Sequence, residues 1–249
     1  MPSWHLYATC HTLWKLVPKE VLKMMQEYDC NTWKRGEAYY HAAIKFSETI
    51  WMWLRANQHL MVESTCAYLA QDGNLDALKW ARNHQYPWSS YTCDKAAQNG
   101  HVKVLKWAHE NGCLWDEHTF SYAAENGHLN VLQWAFENGC PWDEFTCANS
   151  AKRGKLEVLK WLRERGCPWD KWTCCYAALN GKVDVIKWAR ENGCPWDEWT
   201  CAYAAFGGHL NVLKWLRDNG CPWDEYTCSN AAENGHIDVL KWAYKNGCG

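Results

Sequence analysis

The sequence predicts an all-α fold, an α-solenoid of stacked helix-turn-helix repeats, and three observations predict it. Tryptophan recurs every 27 residues at Trp80, Trp107, Trp134, Trp161, Trp188, Trp215 and Trp242. A glycine column from Gly73 to Gly235 keeps the same step, as do alanine pairs such as Ala96-Ala97, Ala123-Ala124, Ala177-Ala178, Ala204-Ala205 and Ala231-Ala232. Within each period, apolar residues sit at helical spacing between residues that start and stop helices. A fixed period of a few tens of residues marks a repeat array. Each period is too short to bury its apolar faces alone, so neighbouring repeats must cover one another.

The elements of one repeat follow in order from Trp223. Asp224 is an N-cap, and Glu225 places an acid in the first turn, where the helix dipole favours it. Trp223 and Cys228 occupy the N′ and N4 positions of a hydrophobic staple. The first helix runs to Asn234-Gly235, where glycine can take the left-handed conformation that ends a helix. In the second helix Ile237, Val239, Leu240 and Ala243 form an apolar stripe, and Asn246-Gly247 ends it in the same way. Pro222, two residues after Gly220, cannot continue the preceding helix and opens the next repeat. Ser89 stands where other repeats have the capping Asp, and caps equally well. Seven good repeats are expected, preceded by a degraded one around Ala42-Ala43 and Trp53, so the array should span residues 36–249.

Composition narrows the class. The chain has 249 residues, room for one or two domains, and a formal net charge of −2. No basic face suited to a phosphate backbone is apparent, so no nucleic-acid partner is expected. No stretch approaches about 18 consecutive apolar residues, and the N-terminus lacks a basic start followed by an apolar run. Neither a membrane span nor a signal peptide is therefore expected, and the expected location is cytoplasmic. Residues 1–35 fall outside the repeat and are expected to form an N-terminal helical cap, with 14–28 as an amphipathic helix. The opening L-V-P-K-E-V-L of that helix faintly resembles an F-box start. The alternative this implies is a substrate adaptor for a ubiquitin ligase, with residues 11–30 recruiting the ligase and the repeats binding the target. The segment is short for an F-box, and capping is the preferred reading.

The 20 Trp and 15 Cys invite a search for chemistry. One cysteine column follows Thr (Cys66, Cys93, Cys147, Cys174, Cys201, Cys228) and another follows Gly (Cys113, Cys140, Cys167, Cys194, Cys221, Cys248). Equivalent positions of stacked helices lie about 8–10 Å apart, beyond disulfide reach. The C-x₆-C spacing lacks the close paired ligands of a zinc site. Phe120 and Tyr86 replace cysteine in the two columns, as suits a buried hydrophobe and not a ligand. His101, His128, His209 and His236 follow the turn glycine, with Lys155 and Lys182 in the same column, which suggests a local turn or capping role. The carboxylates Asp143 and Glu144 and their copies sit at helix starts, and the two Trp columns are expected in the core or at its edge. No catalytic residue, metal site or cofactor is expected.

The string AAENGHLNVLQWAFENG at 123–139 resembles the core of the ankyrin repeat, roughly A-A-x-x-G-H-x-x-V-V-x-x-L-L-x-x-G-A. The resemblance recurs in register over residues 36–249. Two departures mark it: Thr-Cys replaces the T-P-L-H opening, and the 27-residue period is shorter than the usual period of about 33. The missing residues fall between Gly139 and Thr146, so the β-hairpin finger should shrink to a tight loop. Trp- and Cys-rich repeats of this style look like those of repeat families in giant viruses and some protists; for a viral chain the location would be host cytoplasm. The resemblance implies a non-catalytic protein–protein interaction scaffold.

The positions that vary are the candidates for contact with that partner. Tyr91, His118, Phe145, Trp172, Trp199 and Tyr226 occupy one column at the start of the first helix. Tyr122, Tyr176 and Tyr203 lie one turn further on, within a pair of varying positions (Asp94-Lys95 through Ser229-Asn230). Exposed Tyr and Trp on a rigid stack make good anchors. The competing reading is that these rings only cover the neighbouring repeat's edge, and the sequence leaves both open. Exposure of Ile237, Leu240 and Trp242 at the last repeat predicts end-to-end self-association or a partner there.

Overall fold

In a computed structural model, residues 63–248 are described. The helical cap over 1–35, the F-box-like segment and the degraded repeat around Trp53 lie outside them. The described residues contain fourteen α-helices and no strand, the all-α fold expected. The helices are α1 (Glu63–Gln71), α2 (Leu75–Asn83), α3 (Ser90–Gln98), α4 (Val102–Glu110) and α5 (Glu117–Asn126). They continue with α6 (Leu129–Glu137), α7 (Glu144–Lys152), α8 (Leu156–Glu164), α9 (Lys171–Leu179) and α10 (Val183–Glu191). The last four are α11 (Glu198–Phe206), α12 (Leu210–Asp218), α13 (Glu225–Glu233) and α14 (Ile237–Lys245). Odd-numbered helices are the first of each pair and even-numbered helices the second.

Two compact units contain these residues: 63–96 with 103–113, and 97–102 with 114–248. In the first, Leu69, Leu78, Leu105 and Tyr86 are fully buried with Ala67, Ala70, Ala77, Ala81 and Ala108. Tyr86 fills the place that cysteine holds in later repeats. The Arg82 guanidinium lies 4.1 Å from the Trp88 ring centre and donates to the Tyr86 carbonyl.

The second unit stacks five helix pairs, α5/α6 to α13/α14. Its closest packing runs between successive first helices, α5, α7, α9, α11 and α13. The side chains there explain the close approach. Thr146, Cys147, Ala148, Ser150 and Ala151 are all buried on α7, and Thr173, Cys174, Cys175, Ala177 and Ala178 on α9. No large side chain holds these backbones apart. In four of the varying pairs the leading residue (Ser121, Ala148, Cys175 or Ala202) points into this seam and is buried. Those positions are core, which corrects the expectation that the whole varying pair offers surface.

The local signals act as read. Asp116, Asp170, Asp197 and Asp224 are extended N-caps accepting the N–H two residues on. Asp143 accepts from Thr146 N–H, and the Thr146 hydroxyl returns to the Asp143 backbone N–H, closing a capping box. Asn138, Asn192, Asn219 and Asn246 donate from their side chains to the Trp carbonyl four residues back, at 2.7–2.8 Å. Between pairs the chain turns through loops such as Gly139–Asp143, and the β-hairpin finger is gone.

The Trp columns meet within four pairs of the second unit. Trp169 meets Trp188 edge to face at 5.9 Å, Trp196 meets Trp215 at 6.1 Å, and Trp223 meets Trp242 at 5.9 Å. A cation from the preceding second helix covers the first ring: Arg163 on Trp169 at 4.2 Å, Arg190 on Trp196 at 3.9 Å and Arg217 on Trp223 at 4.3 Å. Where that column holds Phe136, its ring lies 5.0 Å from Trp142 instead. The staple is present too, since Trp169 and Trp196 pack on the buried cluster of Cys174, Ala189 and Cys194.

Candidate functional site

The Asp cap places the aromatic column. At His118, Trp172, Trp199 and Tyr226 the cap carboxylate accepts that residue's own N–H, which fixes it at the helix start. Tyr91, Phe145, Trp199 and Tyr226 are 45%, 46%, 38% and 51% exposed. His118 is exposed, and Trp172, Tyr122, Tyr176 and Tyr203 are half-buried.

These residues do not form one continuous stripe. On α9, α11 and α13 five rings connect. Trp172 meets Tyr176 at 5.8 Å and Tyr203 edge-on at 5.9 Å. Tyr176 meets Tyr203 at 6.5 Å, Tyr203 meets Trp199 at 6.4 Å, and Trp199 stacks on Tyr226 at 5.4 Å with 20° between the planes. Lys171 donates to Asp197 at 2.6 Å and lies 5.7 Å from the Trp172 ring centre, bordering the patch with a cation. That hydrogen bond holds the Lys171 ammonium above its ordinary pKa, while burial and then nearby Tyr176 raise the Tyr203 phenol. On α5, His118 and Tyr122 form a separate pair at 6.4 Å. Tyr91, in the first unit, lies under the Lys95 ammonium at 5.0 Å. Phe145 stands exposed on α7 between these groups. Near the end of α5, Glu125 is held by Lys152 and Arg153 at 3.3 and 3.0 Å.

The histidine column has a longer reach than a local turn. His128 Nε2–H donates to the Gln98 carbonyl, His209 to Leu179 and His236 to Phe206, each at 3.0 Å and 30 residues back. Each ring thus caps the first helix of the preceding pair. Lys155 and Lys182 lay their methylenes along the same path, over Gly127 and Gly154.

Both cysteine columns are buried, and all thirteen described cysteines are free thiols. They are more than filler. In the second column Cys167, Cys194, Cys221 and Cys248 donate to the carbonyl of their own repeat's cap, 24 residues back, at 3.4–3.5 Å. Each also meets the first-column cysteine 20 residues earlier. The thiols of Cys147 and Cys167, Cys174 and Cys194, and Cys201 and Cys221 hydrogen-bond. Cys228 Sγ lies 2.6 Å from Cys248 Sγ. Those hydrogen bonds and burial raise Cys147, Cys174 and Cys221 far above the ordinary thiol range. Burial, against the lowering effect of Arg82, pushes Cys66 up to about 12. Such thiols stay protonated at neutral pH and are poor nucleophiles. A partner 20 residues away shows neither in the 27-residue period nor in the C-x₆-C spacing. The signal was there: Phe120 is matched by a retained Cys140, and Tyr86 by a retained Cys66. Among the described residues, no cluster of three or more His, Cys, Asp or Glu is arranged to hold a metal ion.

Comparison with known proteins agrees with this architecture. Residues 174–217 match the family model described as ankyrin repeats (many copies). The structure is similar to the crystal structure of the human ASB11 ankyrin repeat domain, with a TM-score of 0.51 and 19% identity over 63% of this chain and 84% of that one. No curated protein matches the chain. The resemblance to ankyrin repeats holds: residues 174–217 match the ankyrin-repeat model, and the stacked helix pairs have the ankyrin-repeat fold. Ankyrin repeats serve in general as protein-interaction scaffolds. No described helix is long and apolar enough to cross a membrane.

Proposed function

We propose that this chain is a non-catalytic scaffold that binds another protein through the aromatic surface of its first helices. The observation that carries the reading is the connected patch of Trp172, Tyr176, Trp199, Tyr203 and Tyr226 on three successive first helices of the second unit. Its outermost rings, Trp199 and Tyr226, stack on each other while both remain exposed. Rings left open on a fixed backbone offer contact area at small entropic cost, the property that makes Trp and Tyr frequent binding anchors. Closely packed first helices supply the fixed backbone. Tyr91, His118, Tyr122 and Phe145 extend the candidate surface as secondary contacts.

The test compares proteins retained by the wild-type chain with those retained by Trp199→Ala/Tyr226→Ala, after circular dichroism has shown unchanged helix content. Loss of a specifically retained protein supports the reading. Retention at wild-type strength removes the aromatic patch as the interface.

A further inference from the structure

We propose that Cys228 and Cys248 are a dithiol that closes to an intramolecular disulfide in the presence of a small-molecule disulfide such as oxidised glutathione. The geometry comes from the helix pair. Cys228 is the fourth residue of α13, and Cys248 follows the glycine that ends α14, so both halves of one repeat present a sulfur to the same spot. There the two Sγ atoms are 2.6 Å apart, and the Cys228 thiol also reaches the Cys248 carbonyl at 3.1 Å. A disulfide bond is about 2.05 Å long, so bonding requires a movement of about half an ångström. Trp223, Leu240 and Trp242 pack around the site and hold both sulfurs in place. Disulfide formation would tie the start of the first helix to the end of the second, closing the repeat on itself.

The exchange balances without a metal. The Cys248 thiolate attacks one sulfur of oxidised glutathione, releasing a glutathione thiolate and leaving a mixed disulfide on Cys248. The Cys228 thiolate then attacks the Cys248 sulfur and expels the second glutathione thiolate. The two protons lost by the protein thiols end on the two glutathiones, and the protein is oxidised by two electrons as oxidised glutathione is reduced. Burial, then the hydrogen bond with Cys228, pushes the Cys248 thiol up to about 12. Thiolate is scarce at neutral pH, so the exchange is slow there and quickens as pH rises.

The experiment incubates the full chain with oxidised glutathione at mildly alkaline pH, quenches with acid, alkylates under denaturing conditions and maps unreduced peptides by mass spectrometry. The expected product is a peptide pair joining Cys228 to Cys248, two hydrogens lighter than its parts, with neither residue alkylated. Recovery of Cys228 joined to its sequence neighbour Cys221, or of both thiols still alkylatable at equilibrium, overturns the proposal. Cys228→Phe reproduces the natural Phe120/Cys140 combination and tests the pairing in a repeat built to tolerate it. In that variant oxidation is expected to leave the melting temperature unchanged, whereas in the wild type it rises. An equal rise in both overturns the assignment. Cys248→Ser supplies the same comparison from the other side of the bond.

Discussion

Gly181 and Gly193 end the two helices of one pair, and replacing each by alanine separates a backbone effect from a contact between repeats. Both have positive φ, +69° and +84°, where an added Cβ is strained by about 1–2 kcal/mol. A Cβ on Gly193 meets nothing within 4 Å. On Gly181 it would fall 2.9 Å from both Nδ1 and Cε1 of His209, so the ring must swing aside. The ring then gives up its 3.0 Å hydrogen bond to the Leu179 carbonyl, worth about 1 kcal/mol. Gly193→Ala is therefore expected to cost about 1–2 kcal/mol, Gly181→Ala about 2–3 and His209→Ala about 1. Gly181→Ala/His209→Ala should cost no more than Gly181→Ala alone, a shortfall from additivity of about 1 kcal/mol. Urea unfolding of the full chain, followed by tryptophan fluorescence, measures all four differences. Equal costs for the two glycine variants, or strict additivity in the double variant, would refute the view that the glycine column makes room for the histidine bridge.

Two further outcomes follow from the buried thiols and the caps. Burial pushes the Cys175 thiol up to about 12 against a hydrogen bond with Thr200 that lowers it, while an unfolded thiol ionises near 9.0. The folded-state pKa is the raised one, so this contribution is whole below pH 9 and is lost as pH climbs towards 12. Each pH unit in that window should cost about 1.4 kcal/mol through Cys175, and Cys175→Ala should be less alkali-sensitive by that amount in urea titrations at pH 9.5 and 10.5; identical slopes would count against it. Asp143→Ala should lower stability by about 1 kcal/mol by opening the capping box with Thr146, while Asp143→Ser stays within a few tenths of wild type in the same assay.

What could be read from the sequence and what could not divide along chain distance. The Asp caps, the glycine stops, the Trp223–Cys228 staple and the lost finger rest on neighbours within a turn or two, and a linear pattern carries them. The histidine bridge joins residues 30 apart and the thiol pairs join residues 20 apart. Only the fold of one pair onto the next defines the first distance, and only the fold of one helix onto its mate the second. Burial of Ser121, Ala148, Cys175 and Ala202 was hidden for a related reason. Their variation looked like surface, yet the seam accepts any residue small enough to fit. The aromatic column at the helix start was legible, but its break into a connected patch of five rings, a separate pair on α5 and single residues was not. The break falls at α7, where the residue one turn beyond Phe145 is Asn149 and not Tyr.

The bridges between pairs have a consequence for chain length. His209 belongs to one repeat and its acceptor, Leu179, to the repeat before, and Arg190 reaches forward to Trp196 in the same manner. Every such clasp joins a repeat to its immediate neighbour at an offset fixed within the 27-residue frame. Gain or loss of a whole frame by recombination keeps these offsets, whereas another length change between Leu179 and His209 takes the ring out of reach of its acceptor. A whole step inserted among α9–α13 adds another helix start to the aromatic patch without redesign of those already there.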